Sequence, residues 1–470
     1  MSHLKPDDRF DFGISPSPSI YSAENTPRRR ESPSPEDDVD SVAPTPPTRP
    51  FASRNPFSAN ATPLGTSANS SAVHLHHQKQ GQKYFRSRRI KKGTSEQPWK
   101  TKKDPKEKWV TIIPLIGLAL GFCLAGFLVY DGLNTIVHHT YELILDEDWS
   151  NGFNDAVWTK EVNVGGFGNG EFEETTNTEE NVFIQDGKLI IKPTLQDDSL
   201  ITTNNNLSLG AACTSTDFYA CNAVTNTTNG TIVPPAKSGR INTLKGATIK
   251  YGRVEVTAMM PEGDWLWPAI WLLPVNNTYG DWPASGEIDI AESRGNNYSY
   301  PMGGNNIVSS ALHWGPDVAD DAWWRTNKKI SALHTTYAAA SHVFGMEWSE
   351  KYLFTYVDSR LMQILYNPFN QPLWERGAFP LSNSNGTTIV DPWTNGGINA
   401  PFDQKFYLIL NVAVGGTNGW FKDGEAGKPW VDKSLTAKRD FWEAKDAWYP
   451  TWKENAQMVV SKVQMWQQTD

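Results

Sequence analysis

The sequence predicts an all-β domain, a sandwich of antiparallel sheets, preceded by one transmembrane helix and a disordered N-terminal tail. Three observations lead to this prediction. Strand-like runs recur between turn signals after about residue 140, no long amphipathic helix interrupts them, and an uncharged apolar run lies before them.

Residues 1–108 are expected to form a disordered cytosolic tail. The segment is rich in Ser, Pro, Thr, Arg and Lys, and its single tryptophan is Trp99, although the whole chain holds 20. Such a composition buries too little apolar surface to fold. Ser-Pro and Thr-Pro pairs, such as Ser15-Pro16 and Thr26-Pro27, are candidate phosphorylation sites. A plain polar linker is the alternative.

The run Trp109–Tyr130 is the predicted transmembrane helix. It carries no charge, and at about 1.5 Å per residue it is long enough to cross a hydrocarbon core of about 30 Å. Basic residues cluster between positions 86 and 108, and acidic residues follow the run. The positive-inside rule therefore predicts a single-pass type II membrane protein. The C-terminal part should be lumenal or extracellular, in the secretory pathway or at the cell surface.

Two further features agree with a lumenal location. Cys213 and Cys221 are close enough in sequence to form a disulfide in an oxidising compartment, with two free thiols as the alternative. Glycosylation sequons follow the helix, although triplets at Asn60 and Asn69 show that they also arise by chance. The predicted glycosylation sites are Asn206, Asn226, Asn229, Asn276, Asn297 and Asn385.

Residues 131–144 are read as a short stalk and residues 145–468 as one β-rich domain. The runs alternate or are strongly apolar, and turn signals such as Asp186-Gly187 separate them. The clearest predicted strands are Val182–Ile184, Lys188–Ile191, Gly252–Ala258, Tyr352–Asp358 and Phe406–Val414.

The stretch Gly286–Ser293, GEIDIAES, places three carboxylates within six residues. On an extended strand Glu287 and Asp289 share one face, and strict alternation sends Glu292 to the other face. Because a buried unpaired carboxylate costs several kcal/mol, we expect a β-bulge near Ile290-Ala291 that returns Glu292 to the polar face. Two carboxylates so placed can cleave a glycosidic bond, one as nucleophile and one as acid/base. A solvated polar strand face is the alternative.

The residues around this stretch resemble glycoside hydrolase family 16, whose laminarinase-like members carry a Glu-x-Asp-x-x-Glu signature. The resemblance spans roughly Leu145 to Trp466. Its motifs include GGFGNGEFEETT from Gly165, YGRVEVTAMMPEG from Tyr251, WPAIWLLP from Trp267, SSALHWGP from Ser309 and FYLILNVAVGG from Phe406. It implies a β-jelly roll of two curved sheets with a glucan-binding cleft. The segment Met458–Trp466 departs from the family pattern at an outer strand.

The resemblance also implies residue roles. Glu287 is the expected nucleophile, Glu292 the acid/base and Asp289 the assisting carboxylate. Aromatic rings stack on sugar faces and polar side chains bond to sugar hydroxyls, so residues of the matching stretches are candidate substrate contacts. They are Trp267, Trp271, Trp282, His313, Trp314, Asn169 and Glu171. For each tryptophan the alternative is a core position, and for Asn169 and Glu171 it is turn chemistry.

Other chemistries find little support in the sequence. No Cys-x-x-Cys or His-Glu-x-x-His spacing offers a zinc site, so no metal and no cofactor are expected. The resemblance allows a structural calcium ion, but no residue identifies its ligands. The formal net charge of −9 leaves no footprint for nucleic acid. Oligomeric state is left open.

The expected partner is a β-glucan polysaccharide. The first hypothesis is a membrane-anchored retaining endo-β-glucanase, a glycoside hydrolase that acts on β-1,3- or mixed β-1,3/1,4-glucan of a cell wall. The second is a transglycosylase that passes the glycosyl-enzyme to another sugar during glucan assembly. The third is a non-catalytic glucan receptor, against which the presence of both Glu287 and Glu292 speaks.

Overall fold

A computed structural model describes residues 89–101, 104–135, 138–383 and 385–470. The described residues divide into two units, one from residue 89 to residue 135 and the other from residue 138 to residue 470. The tail prediction, including its Ser-Pro and Thr-Pro pairs, falls almost wholly outside the described residues.

The first unit contains two helices, α1 (Pro98–Thr101) and α2 (Glu107–Thr135). Within α2, the stretch Glu107–Gly132 is long and apolar enough to cross a membrane, and none of its most apolar window is buried. The only proline within α2 is Pro114, which lies in the first third of the helix. Because proline lacks an N–H group, it interrupts the backbone hydrogen bonding only near this end of the helix. The helix therefore contains the whole predicted run Trp109–Tyr130.

The second unit is built almost entirely from strands, as the alternating sequence pattern predicts. Its strands are β1 (Tyr141–Glu147), β2 (Thr159–Lys160), β3 (Glu173–Thr175), β4 (Val182–Gln185), β5 (Lys188–Ile191), β6 (Thr194–Leu195), β7 (Asn205–Ser208), β8 (Asn222–Thr225), β9 (Ala236–Ser238), β10 (Arg240–Asn242) and β11 (Thr248–Ile249). They continue as β12 (Gly252–Met259), β13 (Leu266–Pro274), β14 (Glu287–Ser293), β15 (Ile307–His313), β16 (Asn327–Ser331), β17 (His342–Trp348), β18 (Tyr352–Val357), β19 (Gln363–Pro368), β20 (Phe406–Val414) and β21 (Met458–Gln468).

The helices of this unit are short and lie in the connections between strands. The α-helices are α3 (Asp198–Thr202), α4 (Phe218–Cys221), α5 (Leu373–Gly377), α6 (Ala437–Glu443) and α7 (Lys445–Trp448). Single 3₁₀ turns occur at Gly166–Gly168, Gly210–Ala212, Val318–Asp320, Trp323–Arg325 and Tyr449–Thr451.

Two eight-stranded antiparallel sheets form the sandwich, so the predicted fold class is confirmed. Sheet 1 has the strand order β19-β18-β17-β12-β21-β5-β4, and β1 also pairs with β21. Sheet 2 has the order β16-β15-β14-β13-β20-β10-β2, and β11 also pairs with β20. Two small sheets, β3-β9-β6 and β7-β8, complete this unit, and β3 and β9 form the one parallel pair among the named strands.

The core lies between the two sheets. Alternate residues of β12 in sheet 1, among them Val254 and Val256, belong to the same buried cluster as Ile288 and Ile290 of β14 in sheet 2. Burying such side chains contributes roughly 1.5–3 kcal/mol each. Because strand side chains alternate, the opposite face of β14 is directed away from sheet 1.

The boundary of the folded domain differs from the prediction by four residues. Strand β1 begins at Tyr141, within the segment assigned to the stalk, because Tyr141 pairs with Gln468 and Leu143 with Trp466 at the end of β21. These residues form a strand because they pair with β21, the last strand. Their mixture of polar and apolar residues did not predict this strand.

A peripheral hairpin carries the cysteines and several sequons. Strands β7 and β8 pair antiparallel, and a disulfide joins Cys213 to Cys221 inside their connection, with the two Cα atoms 5.5 Å apart. All six predicted glycosylation residues are exposed.

Candidate active site

Strand β14 carries a β-bulge at the predicted place. Asp289 pairs with Ala311 of β15 and Glu292 pairs with Ser309, so β14 has one residue more than its neighbour between these pairs. The pairing with β13 shifts at the same point. The bulge absorbs Ile290 and Ala291, and it brings Glu292 to the face that carries Glu287 and Asp289. The three carboxyl groups therefore share the side of sheet 2 that is directed away from the core.

Glu292 is held by an indole from the neighbouring strand. The Nε1–H group of Trp267 on β13 donates a 2.9 Å hydrogen bond to Glu292 Oε1. Trp267 stacks in turn on Trp420, with ring centroids 4.7 Å apart and planes 12° apart. The guanidinium of Arg294 lies 3.8 Å from the centroid of the Trp420 ring and donates to its backbone carbonyl. This stack fixes the direction from which Trp267 approaches Glu292.

Glu287 has a different tryptophan partner. The Nε1–H group of Trp282, in the connection between β13 and β14, donates a 2.8 Å hydrogen bond to Glu287 Oε2. Trp282 is 39% exposed, so one part of its ring remains open to a ligand while its N–H group is satisfied. Asp289 lies beside Glu287 on the same face of the strand, so that each carboxyl group affects the pKa of the other.

His313 connects this cluster to a fourth carboxylate. It lies on β15 directly opposite Glu287, and its Nε2 atom is 3.3 Å from Asp289 Oδ2. Its Nδ1 atom is 2.6 Å from Asp321 Oδ2. The other oxygen of Asp321 accepts hydrogen bonds from the backbone N–H groups of Trp314 and Trp323. Asp321 is therefore held rigidly and fixes the imidazole ring against Asp289.

The carboxyl groups of this cluster hold protons more tightly than ordinary carboxyl groups. Removal from water raises the pKa of Glu292 to about 7, although His313 and the bond from Trp267 act in the opposite direction. Removal from water also raises the pKa of Glu287, with a further contribution from the charge of Asp289. The pKa of Asp289 is raised by burial and by the charge of Glu292. Adjacent carboxylates in a dry site cannot all ionise at neutral pH.

The imidazole of His313 behaves in the opposite way. Burial alone would lower its pKa, but the charge of Asp321 and the close contacts of the ring with Asp289 and Asp321 outweigh burial and hold the pKa of His313 well above its ordinary value. The positive charge on His313 partly balances the carboxylates around it.

The polar face continues beyond the carboxylates. Trp271 pairs with Asp289 across the β13–β14 ladder and therefore shares its face. Its Nε1–H group donates a 2.7 Å hydrogen bond to Asn411 Oδ1, and the guanidinium of Arg240 lies 4.7 Å from its ring centroid. Trp271 is only partly buried, so it lies on the face of sheet 2 that carries the carboxyl groups rather than in the core.

The glycine-rich loop is tied to the loop after β20. Asn169 donates a 3.0 Å hydrogen bond to Glu171, and its own Oδ1 atom accepts one from Asn418. Asn169 is partly exposed, whereas Glu171 is 3% exposed. Glu171 therefore acts through Asn169, which leaves Asn169 as the residue of the pair that a ligand can reach.

Trp314, like Glu171, is a predicted substrate contact that the structure buries. Its side chain is fully buried, and its Nε1–H group donates to Thr326 Oγ1 at 2.9 Å. It packs against Phe379 and Trp393 within the core. Strand alternation explains the difference, because the residue after His313 is directed to the opposite side of the sheet. Trp314 is a structural residue and cannot stack on a ligand in the cleft.

Sequence analysis missed Asp321, Trp420 and Arg294. Arg294 follows the carboxylate strand directly, and Asp321 lies in the acidic segment DVADD after His313, so both offered a local signal of charge beside the motif. Trp420 lies far along the chain and reaches Trp267 only because β20 neighbours β13 in sheet 2.

Several known proteins resemble this chain in sequence. The family model for Glycosyl hydrolases family 16 matches residues 175–392. A Beta-1,3-glucan-binding protein of Penaeus monodon is 40% identical over 343 residues, which cover 70% of this chain and 91% of that protein. Glucan endo-1,3-beta-glucosidase A1 of Niallia circulans is 34% identical over 256 residues, which cover 53% of this chain and 29% of that protein.

Among solved structures, that of the laminarinase from Rhodothermus marinus aligns with a TM-score of 0.45 and 25% sequence identity, over 71% of this chain and 100% of that one. The extent of the match to the Penaeus monodon protein, together with the family model, identifies the family. This chain belongs to glycosyl hydrolase family 16.

Proposed function

We propose that this chain is a membrane-anchored retaining endo-β-glucanase that acts on β-1,3- or mixed β-1,3/1,4-glucan. The observation that carries the proposal is the presence of Glu287, Asp289 and Glu292 on one face of a bulged strand, with a separate tryptophan donor on each glutamate. The name of the 34% identical Niallia circulans protein supports a glucan with β-1,3 linkages.

In the first chemical step Glu287 attacks the anomeric carbon while Glu292 donates its proton to the glycosidic oxygen, so that the C–O bond to the leaving sugar breaks. A covalent glycosyl-enzyme results. In the second step the ionised Glu292 takes a proton from water, the water oxygen attacks the anomeric carbon, and Glu287 is released. The raised pKa of Glu292 suits the first of these roles, because the group keeps its proton near neutral pH.

Asp289 and His313 make the attack by Glu287 feasible. Glu287 must be ionised to attack, and because burial and Asp289 raise its pKa, the proton must first leave Glu287. Asp289 lies beside Glu287 and can take that proton. Charged His313 and the Trp282 N–H group stabilise the negative charge on Glu287 before attack. Trp282, Trp271, Trp267 and Asn169 are the proposed substrate contacts on either side of these groups.

The proposed topology is type II, with the catalytic domain lumenal or extracellular. The apolar helix, the basic residues before it, the exposed sequon asparagines and the disulfide all support this arrangement. In that position the domain would meet polysaccharide outside the cytosol.

Two other functions compete with hydrolysis. A transglycosylase would use an acceptor sugar in place of water at the second step. A receptor would bind glucan without turnover, and the name of the 40% identical Penaeus monodon protein favours this reading. The intact pair Glu287 and Glu292 argues against a receptor. A protein that only binds glucan has no need of two neighbouring carboxyl groups whose pKa is raised by removal from water.

Incubation of the protein with defined laminari-oligosaccharides, followed by sizing of the products, separates the three functions. Shorter products are expected for the hydrolase, and products longer than the substrate would identify the transglycosylase. Binding without any product would support the receptor and overturn the proposal.

Azide rescue tests the roles of the two glutamates. Azide can enter the space vacated in either alanine variant, so Glu292→Ala should yield a β-glycosyl azide and Glu287→Ala an α-glycosyl azide. Glu292→Ala should also retain activity on substrates whose leaving group needs no proton. Wild-type rates in either variant, or an inverted first product, would refute a retaining mechanism.

A further inference from the structure

The carboxylate cluster has the atoms of a metal site as well as those of a hydrolase. Among the described residues, one ligand-capable atom from each of Glu287, Asp289 and His313 lies within 4.8 Å of the other two. Tetrahedral Zn²⁺ with bonds of about 2.0–2.1 Å sets its ligand atoms about 3.3 Å apart. His313 Nε2 and Asp289 Oδ2 already stand 3.3 Å apart.

The imidazole is oriented as it is in many zinc sites. Asp321 Oδ2 lies 2.6 Å from His313 Nδ1, and two backbone N–H groups hold Asp321 in place. A histidine that ligates a metal through one nitrogen commonly donates its other N–H group to a carboxylate, which fixes the tautomer. The bond to Asp321 therefore presents Nε2 to the space beside Asp289.

An oxygen of Asp289 lacks a donor. Asp289 is 2% exposed, and its Oδ2 atom accepts no well-aligned hydrogen bond from any residue that the structure describes. Its close neighbour is His313 Nε2, the other ligand of the pair. A buried oxygen of this kind is costly unless a proton or a cation satisfies it. The Trp282 N–H group donates a hydrogen bond to Glu287 Oε2, so the other carboxylate oxygen of Glu287 remains available to bind a metal ion.

We propose that Glu287, Asp289 and His313 bind one Zn²⁺ ion, with the fourth position open to water. Binding replaces the proton between His313 Nε2 and Asp289 and releases it to solvent. Because Glu287 is the proposed nucleophile, bound Zn²⁺ inhibits glucan hydrolysis. This inhibition rests on the proposed function, whereas the binding does not.

Isothermal titration of the detergent-solubilised full chain with ZnCl₂ tests the binding. Three tail histidines, His74, His76 and His77, are spaced closely enough to hold zinc themselves, so the titration uses a background in which all three are alanine. One Zn²⁺ per chain is expected. Asp289→Asn, which keeps the side-chain shape, should weaken binding by at least about tenfold, and His313→Gln should do the same.

Two further variants separate a ligand set from general damage to the site. Asp321→Asn removes the carboxylate behind His313 and should weaken binding about 10- to 100-fold. Glu292→Gln alters the same strand outside the proposed ligand set and should weaken zinc binding less than Asp289→Asn does. Tryptophan fluorescence establishes that each variant is folded.

Absence of a stoichiometric zinc site in the parent, or equal zinc affinity in the parent and Asp289→Asn, would overturn the proposal. Equal loss of affinity in Glu292→Gln and Asp289→Asn would overturn the assigned ligand set. If His313→Gln fails to fold, Asp289→Asn decides the outcome alone. Failure to hydrolyse any glucan would refute the proposed function and leave a measured zinc site intact.

Discussion

Substitution of Glu292 by Gln should stabilise the protein in alkaline solution and change its stability little in acid. The change removes a charge from a buried position, and the Gln carbonyl can still accept the hydrogen bond from Trp267. The pKa of Glu292 is raised to about 7 in the folded protein, against an ordinary value of 4.5. Because the folded pKa is raised, the stability that the neutral carboxyl provides is complete below about pH 4.5 and is lost as pH rises through about 7.

The size of the effect follows from that difference. One pKa unit corresponds to about 1.4 kcal/mol, so the ionised Glu292 side chain should cost the wild-type protein about 3 kcal/mol at pH 8.5 and less than about 1 kcal/mol at pH 5. For a domain of this length about 3 kcal/mol corresponds to about 5 °C in Tm. Glu292→Gln should therefore melt about 5 °C higher than wild type at pH 8.5, and the two proteins should nearly coincide at pH 5.

Thermal unfolding followed by tryptophan fluorescence measures this, since most tryptophans lie in the domain. Glu454→Gln is the matched control, because Glu454 is exposed and its substitution should leave Tm unchanged at both pH values. A gain of equal size at both pH values, or a loss at pH 8.5, would refute the reasoning. If the protein hydrolyses glucan as proposed, the same titration should appear as a rate of hydrolysis that declines when pH rises through about 7, because Glu292 then lacks the proton that the leaving sugar needs.

Three further predictions follow from the site, the disulfide and the helix. Asp321→Asn should lower the pKa of His313, because it removes the negative charge that raises this pKa. NMR titration of the histidine signals measures the change, with the His342 signal as the unaffected control. An unchanged His313 titration would contradict the assigned contact with Asp321. Double substitution of Cys213 and Cys221 by Ser should lower the free energy of unfolding by about 2–3 kcal/mol through loop-closure entropy, which is measured as a lower Tm. Recovery of both cysteines as free thiols from the native protein would contradict this prediction. Protease added to sealed microsomes should trim the N-terminal tail and spare the C-terminal domain, whereas a protected tail would rule out the type II topology.

The strands and the strand face that carries the carboxyl groups could be predicted from the sequence, because both depend on local periodicity. The turn signal Asp186-Gly187 predicts the β4–β5 hairpin, and both residues indeed have positive φ angles. The bulge in β14 was predictable because a charged Glu292 on the core face would be too costly, and the structure places the extra residue between Asp289 and Glu292.

Contacts between distant segments were not accessible in the same way. Trp314 and Trp282 are both tryptophans near the carboxylate motif, and only the direction of each side chain separates a core residue from one that is 39% exposed. Sequence spacing could not place Trp420 against Trp267, because that contact depends on which strand lies beside β13 in the sheet. The order of strands in the sheet determines which aromatic side chains meet beside the carboxyl groups. The sequence pattern of a single strand does not predict that order.

The position of β21 has a consequence for biosynthesis. This strand lies inside sheet 1 between β12 and β5, and it also pairs with β1, although it is the last strand of the domain to leave the ribosome. Until it arrives, β12 on one side and β1 and β5 on the other expose unpaired backbone edges, which attract other chains. A domain translocated into the secretory pathway would therefore wait in an incomplete state until its final strand emerged. Premature termination before Met458 would leave that sheet permanently split.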